Sequence, residues 1–71
     1  MTQNKIQVLI NGNKKLLEKN KNLIEVLKFL KITKNDIAIE INSAVVPKSQ
    51  YINTFLKDND RIEIVQFIGG G

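Results

Sequence analysis

Only one stretch of this 71-residue chain has the periodicity of a helix, and the segments on either side alternate as strands do. At about 100° per residue, Leu23, Val26, Leu27 and Leu30 fall on a stripe about 100° wide, while Glu25, Lys28 and Lys31 lie away from it. Asn22 stands where an N-cap belongs, and Glu25 three residues later can complete a capping box. A lone amphipathic helix has no second helix to bury its stripe against. It must lie on a sheet, which restricts the chain to a two-layer α+β design.

The strands can be read from their alternation. Ile6, Val8 and Ile10 share one face, and Asn11-Gly12 follows at once; this pair tolerates the positive φ angles of a type I′ hairpin turn. A return strand is expected over about Lys14 to Glu18, although Lys-Lys-Leu-Leu-Glu is a weak pattern. Ile37, Ile39 and Ile41 define a third strand, Asn42-Ser43 a turn, and Ala44-Val45-Val46 a short fourth strand. Pro47 cannot donate to a ladder, so that strand belongs at an edge. Lys48 to Leu56 has room for a single helical turn, and Asp58-Asn59-Asp60 forms a tight turn before a last strand, Arg61 to Gln66. Ile62 and Ile64 share a face of that strand. The expected fold is one main helix across a small mixed sheet of about five strands. Residues 1–66 form a single domain, and residues 67–71 are an extended, flexible C-terminal Gly tail.

Composition removes most chemistries. The chain has no Cys and no His, which excludes disulfides, thiolate nucleophiles, Cys-based metal sites and the usual neutral-pH general base. Asp58 and Asp60 lack the further oxygen ligands of a calcium loop and read as turn residues. Thr33, Ser43, Ser49, Tyr51 and Thr54 have no visible base and read as capping or turn residues. No catalytic residue and no metal site is expected. The net charge is +4, but Arg61 is the single arginine among eleven basic residues, which argues against specific nucleic-acid recognition. The apolar run 23–32 is broken by Glu25, Lys28 and Lys31, and Val8-Leu9-Ile10 is too short for a signal segment, so no membrane partner is expected. Richness in Lys, Asn and Ile, all encoded by A/T-rich codons, suits a low-GC genome such as a plastid's. The expected location is the cytoplasm, or the plastid stroma if the chain is plastid-encoded.

The last residues are the most informative. Gln66-Phe67-Ile68 runs into Gly69-Gly70-Gly71, which holds three of the four glycines. One explanation is a frayed terminus or an expression scar. The other is functional: without Cβ atoms, the backbone can thread a narrow channel. Residues 67–71, fully extended, reach roughly 17–18 Å, enough to put a terminal carboxylate inside a partner's active site. Strand parity adds to this. With Ile62 and Ile64 facing the helix, Val65 and Phe67 face away and, with Ile68, are candidates for partner docking. A bulge that turned them inward is the competing possibility.

Two segments carry a family resemblance. Ala38 to Tyr51, with Ile41-Asn42-Ser43 leading to Val45-Val46-Pro47-Lys48 and then Tyr51, resembles the central signature of the ThiS family of thiamin-biosynthesis sulfur carriers. Leu56 to Gly71 resembles its closing segment: an Asp-Gly-Asp-like turn, a strand and a di- or triglycine end. Asn59 stands where the family usually has Gly, and Asn also tolerates left-handed angles. Asn20-Lys21-Asn22 replaces the usual Gly-Thr-like lead into the helix. The resemblance implies a ubiquitin-like β-grasp fold and a carrier that binds no cofactor itself. It further implies that a ubiquitin-activating-like adenylating enzyme (ThiF type) consumes ATP to adenylate Gly71. A cysteine desulfurase or other sulfur donor then provides the sulfur of a thiocarboxylate, and thiazole synthase (ThiG type) receives it. Gly69 and Gly70 would enter the partner's active site. Alternatives are the small subunit of molybdopterin synthase, a ubiquitin-like protein modifier and, from another class, a small Lys-rich RNA-binding domain.

Overall fold

The computed structural model describes residues 4–33 and 36–67. Strand β1 (Lys5–Ile10) turns through Asn11 and Gly12, at φ of 51° and 84°, into β2 (Asn13–Glu18). Ile10 pairs directly with Asn13, the two-residue loop expected of Asn-Gly. Helix α1 (Leu23–Phe29) opens with the anticipated capping box: Asn22 Oδ1 accepts from the Glu25 amide at 2.9 Å, and Glu25 Oε1 accepts from the Asn22 amide at 3.0 Å. The helix stops one residue before Leu30. Lys31 adopts φ of 61°, its amide donates to the Lys28 carbonyl, and the Ile32 amide donates to the Leu27 carbonyl. That pair of bonds is a Schellman ending with lysine in the left-handed position usually held by glycine.

Strand β3 (Ile37–Ile41) turns through Asn42 and Ser43, at φ of 51° and 73°, into β4 (Ala44–Val46). A 3-10 helix spans Lys48–Asn53, and β5 (Arg61–Gln66) closes the fold. The five-stranded sheet has the order β2-β1-β5-β3-β4. β5 runs parallel to β1 and antiparallel to β3, so the last strand lies in the middle and β4 is an edge, as Pro47 requires. The mixed sheet with one helix across it is the β-grasp arrangement.

The core lies between the helix and one sheet face. Ile6, Val8 and Ile10 from β1, Leu17 from β2, Ile37 and Ile39 from β3, and Ile62 from β5 meet Leu23, Val26 and Leu27 of α1. Leu17 is the one buried residue of β2, which explains the weak pattern of that strand; Leu16 points to the other face beside Gln7 and is exposed. Tyr51 requires a correction. It does lie in a turn, but its role is not local: its side chain is one of the most deeply buried, 1% exposed. The 3-10 turn at Lys48–Asn53 folds back on α1 and drives the ring into the core. Burial pushes its phenol above the ordinary value by disfavouring the phenolate. Its contribution to stability is therefore present below about pH 10 and is lost as pH climbs through the raised folded value. Wild type is expected to lose stability above pH 10 faster than Tyr51→Phe, as read from urea midpoints of both proteins across that range.

Candidate functional site

The region that matters is β5 together with the residues after it, because this strand delivers the chain toward the glycines. Its two flanks are held differently. On the β3 side the pairing is continuous from Ile41↔Ile62 to Ile37↔Gln66, and the Phe67 amide still donates to the Asp36 carbonyl at 2.7 Å. On the β1 side parallel pairing covers only Leu9↔Arg61 and Ile10↔Ile62. Beyond it, the side chain of Asn11 stands in for a strand. Its Oδ1 accepts from the Ile64 amide at 2.8 Å, and its Nδ2 donates to the Ile64 carbonyl at 3.1 Å.

The second hairpin asparagine holds the start of β5. Asn42 Oδ1 accepts from the Arg61 amide at 3.0 Å, and Asn42 Nδ2 donates to Asp60 Oδ1 at 2.9 Å. Asp60 Oδ2 in turn accepts from the Lys57 amide at 2.7 Å, and Asp58 Oδ1 accepts from the Gln7 amide at 2.8 Å. Asp58 and Asp60 are thus turn residues bonded to backbone, with Asn59 between them at φ of 72°. The hairpin turns could be read from sequence; that their asparagines clamp a strand far along the chain, at Arg61 and at Ile64, could not.

Unbroken pairing of β3 with β5 decides the orientation left open by parity. No bulge intervenes between Ile62 and Gln66, so Ile62 is buried, Ile64 is half-buried, and Val65 and Phe67 stand on the outer sheet face, 54% and 57% exposed. Val45 of β4 is exposed on the same face, opposite Glu40. Glu40 lies directly opposite Glu63, a juxtaposition invisible without the register. Of the sequence-derived site residues, Val65 and Phe67 are therefore placed together; Ile68, Gly69, Gly70 and Gly71 lie outside the described residues. A separate depression of about 320 Å³, lined by Lys5, Leu16 and Phe29 among others, sits at the opposite end of the sheet. Among the described residues, no helix is long and apolar enough to cross a membrane.

The family model described as the ThiS family matches residues 4–71. This chain belongs to the ThiS family. The match covers both the β-grasp body and the glycine end. A crystal structure of a thiamine biosynthesis protein (ThiS) from Geobacter metallireducens superposes with a TM-score of 0.79 at 28% identity, covering 93% of this chain and 100% of that one. The ycf40 protein of Porphyra purpurea is 34% identical over 71 residues, the whole of both chains. A thiazole synthase of Paramagnetospirillum magneticum is 35% identical over 66 residues, which are 93% of this chain but 20% of that protein. The ThiS assignment carries with it the role of a sulfur carrier in thiamin biosynthesis.

Proposed function

We propose that this ThiS-family chain carries sulfur as a thiocarboxylate on Gly71 and delivers it to thiazole synthase. A carboxylate is a poor electrophile because its oxygen is a poor leaving group. A ubiquitin-activating-like adenylating enzyme overcomes this by joining the Gly71 carboxylate to the α-phosphate of ATP, with release of pyrophosphate. A cysteine desulfurase supplies sulfur as a persulfide, whose outer sulfur displaces AMP to leave an acyl disulfide on Gly71. A second thiol then attacks the donor cysteine sulfur, forming a new disulfide and releasing the thiocarboxylate, whereas a sulfide donor would displace AMP directly. The resulting thiocarboxylate ionises readily, and its sulfur is nucleophilic by the same logic that makes a thiolate reactive. The carrier supplies position, and bond making belongs to its partners.

The observation that carries this reading is the way β5 ends. Its backbone is bonded as far as Phe67, after which four residues remain. Fully extended, four residues reach about 13–14 Å, so a body docked through Val65 and Phe67 can present Gly71 inside a catalytic cleft while Gly69 and Gly70 occupy a channel too narrow for side chains. The choice of thiazole synthase as acceptor is supported by the synthases that contain a segment like this chain. One polypeptide holding both units would keep carrier and acceptor at high effective concentration. Full-length relatives in Porphyra purpurea and Pyropia yezoensis are compatible with a plastid or cytoplasmic setting.

The test is intact-mass analysis of the full chain after incubation with ATP, a sulfur donor and a thiamin-type adenylating enzyme. The expected result is a mass gain equal to exchange of one oxygen for one sulfur, localised to Gly71 by fragmentation. No gain, or a gain placed elsewhere, overturns the proposal. Transfer of the loaded sulfur into molybdopterin rather than thiazole would select the molybdopterin synthase alternative.

A further inference from the structure

The outer sheet face contains an arrangement that folding alone does not favour. Glu40 and Glu63 are direct partners across β3 and β5. The ladder bonds from the Asn42 amide to the Arg61 carbonyl and from the Phe67 amide to the Asp36 carbonyl set the alternation of this strand pair. By that alternation Glu40 and Glu63 form a hydrogen-bonded pair with Cα atoms about 5.5 Å apart. Like charges directly opposed on neighbouring strands destabilise a sheet. Among the described residues the one salt bridge is Lys21–Glu18 at 3.7 Å, so neither carboxylate is paired with a cation there.

Toward β4 and the end of β5 the surroundings are apolar. Val45 flanks Glu40 on β4, Ala38↔Val65 is the next outward-facing pair along the two strands, and Phe67 follows. Val45, Val65 and Phe67 are all more than half exposed. An acidic pair at the border of an apolar patch, on a chain whose net charge is +4, specifies its complement. We propose that this face docks an apolar surface of the adenylating partner, which projects one arginine between Glu40 and Glu63.

Guanidinium fits this position better than ammonium. It is planar, carries five N–H donors in a fixed fork, and can donate to two carboxylates on different strands while its weak hydration lowers the cost of drying the surrounding face. Docking then removes the repulsion that the free chain carries, so part of the binding energy is relief of a cost built into the sheet. Arg61, the chain's own guanidinium, lies one outward position from Glu63 beside Leu9 and forms no salt bridge with it. The assignment presupposes the carrier role proposed above and adds the chemistry of the surface that recognises it.

The experiment compares wild type with the double variant Glu40→Gln/Glu63→Gln in two measurements on the full chain. Binding to the adenylating enzyme is measured by calorimetry at about 0.05 M and about 0.5 M salt, where screening lengths differ several-fold. The variant is expected to bind about tenfold or more weakly at low salt and to lose the salt dependence of wild type. The thermal midpoint of the free variant is expected to rise by about 1–5 °C as the repulsion is removed. Equal affinity of the two proteins at low salt overturns the proposal, as does a variant whose weaker binding accompanies a lowered midpoint. A wild type that is loaded with sulfur while the variant binds equally well disproves the acidic-pair assignment alone. A wild type that neither binds nor is loaded disproves the carrier role, and this assignment with it.

Discussion

Removing Gly71 is expected to abolish sulfur loading while the fold stays intact. The truncated chain still ends in a glycine carboxylate, so the electrophile is chemically unchanged; only its position differs. One residue of extended chain is about 3.3–3.6 Å, comparable to the whole separation allowed between reacting atoms. The tail cannot recover that length from the body, because β5 is held by β3, by Asn11 at Ile64 and by the Phe67–Asp36 bond. In the docking proposed above, Val65 and Phe67 would fix the point from which the reach begins. A misplacement of about 1 Å can cost on the order of a hundredfold in rate, so a shortfall of a full residue should reduce loading below detection. Intact mass after incubation with ATP, donor and enzyme reads the outcome, and circular dichroism of the same samples verifies the fold. Sulfur on the truncated chain at a rate near wild type would show that Gly71 is not the carrier residue.

The second large effect concerns the body that aims the tail. Ile39→Ala is expected to cost about 2–5 kcal/mol, a figure set by lost burial plus the cavity left behind. Ile39 is 0% exposed, sits in the middle of β3, and is paired on one side with Ile64 and on the other with Val46. A domain of this length is stable by only about 4–10 kcal/mol, so the variant should lose a large part of its cooperative unfolding transition. Val45→Ala removes a similar aliphatic side chain from the neighbouring strand, yet Val45 is 69% exposed and the expected cost is about 0.5 kcal/mol or less. Urea unfolding of the two variants beside wild type tests the contrast. Equal midpoints for both would mean that the inner and outer faces of this sheet have been assigned the wrong way round.

The local elements are legible because their signals are local. The Asn22–Glu25 capping box, the Asn11-Gly12 and Asn42-Ser43 turns, and the alternation of Ile6, Val8 and Ile10 each depend on residues within a few positions of one another. Tyr51 misleads because its neighbours in sequence, Ser49, Gln50, Ile52 and Asn53, look like a surface turn. Nothing nearby indicates that the turn folds back beneath α1 and buries the ring. For the site, parity alone points Val65 and Phe67 outward, while the choice against a bulge needs the observed register with β3.

From sequence alone it follows that this chain lays one helix on a mixed sheet, has no Cys or His side chain, and carries three glycines shortly after a strand with one apolar face. Family resemblance then points to the β-grasp and to sulfur carriage. Tertiary structure alone decided that β5 lies between β1 and β3, that Asn42 and Asn11 clamp it at Arg61 and Ile64, and that Glu40 meets Glu63 beside exposed Val45, Val65 and Phe67. The physical reason is one of range. Caps, turns and side-chain parity are set by backbone geometry over a few residues, whereas register between strands 20 or more residues apart is settled only when the whole core packs at once.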